Sequence, residues 1–279
     1  MGKADLDAPG LAARLARALA VPVALLALWQ LAAVSGLVNP HILPSPWQVL
    51  RRWAAYASPT EPLAQGMNPL AWAFSGELPH DALATAVRVA VGFAIGAGLA
   101  LPLGLAMGSF DRVYNLLNPL LQVLRPIPPI AYIPLAILWF GLGNPPAYFL
   151  ISLGAFFPVL MNTIAGVRQV DRIYIRAGRN LGAGSATMFT RIILPAATPL
   201  ILTGMRVGVG VAFICVIVAE MIAVNDGLGF RILEAREFFW SDKIIAGMLT
   251  IGLMGLAIDT CMDRLNAHLL RWHRGAGGR

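Results

Sequence analysis

Charge is scarce in this sequence. Only 13% of its 279 residues are Asp, Glu, Lys or Arg, while 58% are apolar. A soluble domain of this length carries more charge than that, and the mean hydropathy of +0.70 points the same way. Cysteine is nearly missing. Cys215 and Cys261 both fall in apolar runs and offer neither a disulfide framework nor metal-ligand spacing. The histidines, His41, His80, His268 and His273, are scattered, and none sits one helical turn from another beside a carboxylate. That excludes the usual metal and triad constellations. No Gly-x4-Gly-Lys-Ser/Thr loop occurs, so the chain lacks a phosphate cradle of that kind. The glycine-rich run Gly92 to Gly108 is apolar and has no lysine; Gly96, Gly104 and Gly108 are spaced as helix-packing contacts. No internal repeat is visible, and the polar segments are too short for a second soluble domain.

What the chain does have is apolar runs of membrane length. About twenty apolar residues cross a hydrocarbon core of roughly 30 Å. Six such runs occur, at about 18–37, 84–108, 117–140, 147–167, 197–223 and 244–263. Each is expected to be helical, because lipid offers backbone groups no partner. The fold class is therefore all-α integral membrane with six transmembrane helices. One membrane domain covers 18–270, between a cytoplasmic N-terminal segment, 1–17, and a disordered cytoplasmic tail, 271–279. Pro126, Pro128, Pro129 and Pro134 interrupt the third run. The long outer stretch 38–83 opens with Pro40, Pro44 and Pro46, which exclude regular helix there. Trp47 to Tyr56 can then form an amphipathic turn or two, with Trp47, Trp53 and Trp72 suited to a membrane interface.

Basic residues orient the bundle. With the N-terminus inside, the inner segments hold Arg14, Arg17, Arg112, Arg168, Arg172, Arg176, Arg179, Arg191 and the C-terminal arginines. The outer segments hold only Arg51, Arg52, Arg231, Arg236 and Lys243. Positive charge collects on the cytoplasmic side, which puts both termini there. This asymmetry also accounts for the formal charge of +7, so no nucleic-acid partner is implied. A cleaved signal peptide ending near Ala33-Val34-Ser35 is the other reading of the first run, but its apolar stretch exceeds the usual h-region of about 7–15 residues.

Charges inside the runs narrow the candidates. Arg88 and Glu220 lie at similar depth near the outer side, either as a structural ion pair or as part of a path for an anion. Arg125 and Arg206 match Asp259 and Asp263 in depth near the inner side, and the two aspartates, four apart, can meet one partner. Pro128, Pro134, Gly204, Gly208 and Gly210 would loosen helix packing around a path through the third to fifth runs.

The segment 168–191 stands out. It is polar, rich in arginine and broken by glycine, and it joins two apolar runs on the inner side. Gly178 and Gly182 are one helical turn apart, which would leave one side of a short helix bare enough for close approach by another surface. Pro195 and Pro199 are expected to restart the chain as a new helix.

This pattern, Arg176-Ala177-Gly178, three residues, Gly182-Ala183, then Leu194-Pro195, resembles the cytoplasmic loop of binding-protein-dependent ABC importer permeases. In that family the motif opens with a glutamate, here Arg176, and its second alanine is here Gly178. Five further motifs follow the nitrate/sulfonate/taurine/bicarbonate branch in order: Leu43-Pro44-Ser45-Pro46, Arg125-Pro126-Ile127-Pro128-Pro129, Trp139-Phe140-Gly141-Leu142-Gly143, Leu202-Thr203-Gly204-Met205-Arg206 and Gly227-Leu228-Gly229-Phe230. The resemblance implies a type I ABC importer permease (MetI-like) fold with a cytoplasmic coupling helix. It also implies ATPase docking through Arg176, Ala177, Gly178, Gly182 and Ala183. The implied partners are a second permease copy, two cytoplasmic ABC ATPase subunits that bind ATP and Mg, an extracytoplasmic solute-binding protein and the lipid bilayer of the bacterial inner membrane. The chain itself would bind no cofactor and be no enzyme. The implied cargo is a small anion, a sulfonate such as taurine or an alkanesulfonate, with nitrate or bicarbonate as the alternative. A gradient-driven secondary transporter is the rival from another class. It would need internal repeats or a broken midplane helix pair, together with intramembrane carboxylates.

Overall fold

The computed structural model describes residues 11–36, 38–59, 72 and 75–270. Residues 1–10 of the expected N-terminal segment, and the whole expected tail 271–279, lie outside the described residues. Helices, turns and bends make up the described chain, with no strand among the described residues. Helix α1 (Leu11–Val34) runs straight through the expected boundary at 17. It stands at the periphery, with Leu25, Leu28, Leu31 and Val34 exposed. Helix α2 (Pro46–Ala57) is longer than a turn or two, because Ser45 and Gln48 form a capping box and Pro46 occupies the first turn. There proline's missing N–H costs no bond.

Among the described residues, four helices are long and apolar enough to cross a membrane. They are α3 (Glu77–Ser109), α6 (Asn144–Arg168), the helical run Ser185–Ala223 and α11 (Ser241–Leu269). The expected third run is not one straight helix. It divides into α4 (Asp111–Leu124), a 3-10 turn (Pro129–Tyr132) and α5 (Ile133–Phe140), and the chain bends by 81° at the break. Pro126, Pro128 and Pro129 supply no N–H to continue the ladder, so the helix stops at Leu124 and restarts only beyond them.

Pro195 stands in the first turn of an α-helix, as expected, but that helix continues a helical run and does not follow a break. Helix α7 (Arg172–Asn180) is followed by α8 (Ser185–Met188), a π turn (Phe189–Ile193) and α9 (Leu194–Ala223), so Ser185 to Ala223 is one helical run. The wider π register admits Pro195 without ending the helix. Helix α10 (Leu228–Glu237) then leads by a short turn into α11.

Helix α6 is the axis of the bundle, packed along both α3 and α9. Small residues allow these close approaches. A Cβ added at Gly92, Gly104 or Gly108 of α3 would come within 2.5–2.7 Å of the side chains of Ile151, Thr163 or Val167. On α9, a Cβ at Gly204 would sit 2.5 Å from Cβ of Asn162, and one at Gly208 would sit 2.9 Å from Val159. Gly204 and Gly208 therefore tighten the α6–α9 seam and do not loosen it, while Gly210 faces open space. The core between these helices is aliphatic, built on Leu150, Ile151, Val159, Leu160 and Val216.

Candidate functional site

At the end of the bundle that the charge pattern places outside, one face of α3 carries Asp81, Thr85 and Arg88, spaced so that all three point the same way. They grip the turn between α9 and α10. Arg88 Nη1 donates to Glu220 Oε1 at 2.8 Å and to the carbonyl of Asp226 at 3.1 Å. Its Nε donates to Asn144 at the start of α6 at 2.7 Å, and its Nη2 pairs with the Asp226 carboxylate. Glu220 is fully buried and also accepts from the Thr85 hydroxyl at 2.8 Å and the Gly229 N–H at 2.9 Å. The Gly229 N–H belongs to the first turn of α10, where unpaired N–H groups and the helix dipole favour an anion.

Asp81, also fully buried, accepts from the Gly227 N–H at 3.0 Å, Arg231 Nε at 2.8 Å and the Tyr56 hydroxyl at 2.6 Å. Burial and the Asp81 bond raise the Tyr56 phenol above its ordinary range. Burial opposes the charge on Arg231, but Asp81 outweighs it and holds that guanidinium above its ordinary value. Two glycines make the turn possible. Gly227 has φ +101°, and a Cβ there would lie 2.5 Å from the Glu220 carboxyl carbon; a Cβ at Gly229 would lie 2.9 Å from Glu220 Cβ.

The sequence pairs Arg88 with Glu220, and the geometry brings them together. Sequence reasoning missed Asp81, Thr85, Asn144, Asp226 and Arg231. The signal lay in the spacing of Asp81, Thr85 and Arg88, obscured by starting the second span at 84 when α3 begins at Glu77. Trp53 was read as an interface residue, yet its Nε1 donates to Thr250 of α11 at 2.9 Å.

At the inner end, α7 begins at Asp171, whose carboxylate accepts from the Ile173 N–H at 2.8 Å. It ends in a Schellman turn: the Gly182 N–H reaches Arg179 O at 3.0 Å, and the Ala183 N–H reaches Gly178 O at 3.0 Å. Gly182 has φ +76° and stands past the last helical residue, Asn180, so Gly178 and Gly182 do not share a helix face. Gly182 serves the left-handed turn that closes the helix. Gly178 faces inward, where a Cβ would meet Ile192 Cδ1 at 2.5 Å and Met188 Cε at 3.0 Å. The smallness of Gly178 is thus used for seating α7 on the π turn. Arg176 and Ala177 are exposed, as are Ile173, Tyr174 and, at 88%, Leu181.

Arg206 takes both inner aspartates, Asp259 at 2.7 Å and Asp263. Arg125 takes neither, contrary to the match in depth, because the proline break sets it against α6 and α9 and away from α11. Among the described residues no group of three or more His, Cys, Asp or Glu could hold a metal ion.

Known proteins resemble this chain in sequence and in fold. The family model described as binding-protein-dependent transport system inner membrane component matches residues 98–275. The taurine transport system permease protein TauC of Escherichia coli (strain K12) is 36% identical over 250 residues, covering 89% of this chain and 86% of the relative. The nitrate import permease protein NrtB of Synechocystis sp. (strain PCC 6803) is 35% identical over 237 residues, covering 84% and 82%. Among solved structures, an inward-facing form of the MetNI methionine ABC transporter has the same fold, with a TM-score of 0.59 at 16% identity over 66% of this chain and 92% of that one. The family match favours an ABC importer permease over a gradient-driven carrier. The chain belongs to the binding-protein-dependent transport system inner membrane component family, and is a membrane-embedded, non-catalytic permease subunit of an ABC importer.

Proposed function

We propose that this permease imports a small anion of the sulfonate class, taurine or an alkanesulfonate, as one half of a two-permease path. Two copies of the chain face each other, both termini lie in the cytoplasm, and two ATPase subunits, holding ATP and Mg, grip the 168–191 segments. An extracytoplasmic binding protein delivers the solute at the outer end. The observation that carries the reading is the mechanical continuity at the inner end. Helix α7 exposes Tyr174, Arg176 and Leu181, sits on the π turn through Gly178, and that turn runs unbroken into α9. A push on α7 is thereby passed to a helix that packs along α6, so closure of the motor pair rocks the bundle. The likeness to TauC supports the sulfonate class, and the likeness to NrtB supports nitrate as the second reading.

Reconstitution in liposomes tests it. Permease, ATPase and loaded binding protein are expected to take up taurine or ethanesulfonate only with ATP. Nitrate uptake in place of sulfonate uptake moves the cargo to the second reading. Uptake by the permease alone under a proton or sodium gradient overturns the proposal.

A further inference from the structure

The motif Arg125-Pro126-Ile127-Pro128-Pro129 belongs to neither site described above. The break it makes opens a cavity of about 330 Å³ against α6 and α9. Leu153, Phe157 and Asn162 line it from α6, and Val207 and Val211 from α9. These residues occupy the middle turns of two membrane-crossing helices, so the cavity opens near mid-depth, further from the inner side than the sequence alone places Arg125. Arg125 is its only charged lining residue. The side chain is exposed and has no ion pair or hydrogen bond among the described residues. The other arginines within the spans are different: Arg88 meets Glu220 and Asp226, and Arg206 meets Asp259 and Asp263.

A cation at mid-membrane is costly, and it is kept where it faces water or a substrate pathway. We propose that Arg125 is the cation that receives the anionic group of the cargo as it crosses, in the cavity at the α4–α5 break. The inference rests on the reading as a small-anion importer and names the residue that meets the cargo. A guanidinium presents paired N–H donors that match two oxygens of a sulfonate or of nitrate. The apolar walls, Phe157, Val207 and Val211, keep the local dielectric low, which strengthens that attraction. The cavity has no second cation among its lining residues, so the hold is weak enough for the anion to leave, as passage requires. The proline break makes the site: it ends α4 at Leu124 and leaves Arg125 on the cavity wall.

The test uses the whole assembly in liposomes, with taurine, ethanesulfonate and nitrate as probes. Arg125→Gln is expected to lower ATP-driven uptake about tenfold or more, the scale of a lost charge-assisted hydrogen bond, while the ATPase still co-purifies and hydrolyses ATP. Arg125→Lys keeps the charge without the fork and is expected to fall between the two. Uptake by Arg125→Gln within about twofold of the parent overturns the proposal. So does failure of Gln and Lys variants alike to retain the ATPase, which makes Arg125 a structural residue. If the parent protein moves none of the three probes with ATP, the small-anion reading itself falls, and this inference with it; the parent's activity and the variant-to-parent ratio thus report on the two claims separately.

Discussion

At the outer end of the bundle, Asp81, Thr85, Arg88 and Glu220 are buried, and every one of them has partners from another element. At the inner end, α7 turns nearly all its side chains to solvent and is seated by Gly178 on Met188 and Ile192. The two ends hold comparable numbers of charged groups and use them in opposite ways. Buried charges are tolerable only when paired and hydrogen-bonded, so the outer cluster acts as a latch that fixes α3, α6, α9 and α10 to one another. Exposed arginines contribute little to stability and stay available to a partner. The same protein is thus locked where helices must keep their register and open at α7, where the proposed motor contact lies.

The sharpest way to break this contrast is to remove one latch charge. Arg88→Ala or Glu220→Ala is expected to cost about 3–5 kcal/mol, because the partner is left buried and uncompensated. Thermal unfolding of the purified protein in detergent reads the loss. Arg206→Ala, which frees Asp259 and Asp263 in a half-exposed cluster, is expected to cost less than either latch variant in the same assay. From sequence alone, exchanging Arg88 and Glu220 should partly restore stability. The structure reverses that expectation. An arginine at 220 would face the Gly229 N–H and the positive end of α10, and a glutamate at 88 would face Asp226. The doubly exchanged protein should be no more stable than either single variant. A clear recovery would show that the pair acts alone and that the turn around it is incidental.

A smaller loss is expected from the turn itself. Gly227→Ala forces a side chain into a backbone of φ +101° and against the Glu220 carboxyl, and strain of this kind costs about 1–3 kcal/mol. Thr85→Val removes the acceptor of the Leu228 N–H, 3.1 Å away, and a donor to Glu220. A buried unsatisfied donor again costs about 1–3 kcal/mol. Unchanged unfolding temperatures for both variants would mean that the turn does not hold the latch shut.

These residues also mark how far the sequence could be read. Composition and run length were enough for an all-helical membrane domain, since the apolar runs are long and lipid permits little else. The Arg88–Glu220 pair was legible because two lone charges at similar depth need each other. The rest of the latch was not, because Asp81 lies in a stretch whose polarity and prolines read as loop, and Asp226 and Gly229 act through a turn whose path depends on tertiary contacts. Prolines 126 to 129 announced a disturbance but not its size: whether a span merely kinks or bends by 81° depends on what packs beside it. At 178 and 182 the glycines were read as one face because helical spacing was assumed to continue. The left-handed Gly182 ends that helix, so two similar residues serve two different purposes.

The inner end offers the next comparison. A Cβ at Gly178 would press on the far ends of Ile192 and Met188, which are flexible and can yield. Gly178→Ala is therefore expected to cost about 1 kcal/mol or less of stability, whereas Gly178→Leu over-packs the seat and costs about 1–3 kcal/mol. In the reconstituted importer the Leu variant should still bind the ATPase while uptake per ATP falls, because α7 no longer bears squarely on the π turn. Normal coupling with Gly178→Leu would show that force enters the bundle elsewhere.

The smallest effect on stability is expected at the exposed face of α7, and it separates stability from function most cleanly. Tyr174 and Leu181 are 61% and 88% exposed, on an element that also shows Arg172 and Arg176. Neither side chain supports the bundle, so Tyr174→Ser and Leu181→Ser should leave unfolding within about 0.5 kcal/mol of the parent. Aromatic, aliphatic and arginine side chains gathered on one surface are the composition of a protein interface core, where a few anchors carry most of the binding energy. If the ATPase grips this face, the double variant should lose the co-purifying ATPase and with it ATP-driven uptake, while remaining folded in the membrane. Retention of the ATPase by a stable double variant would move the docking face away from α7. The outer latch would then be the better-founded half of the comparison, and α7 would be left as a strut between α6 and α9.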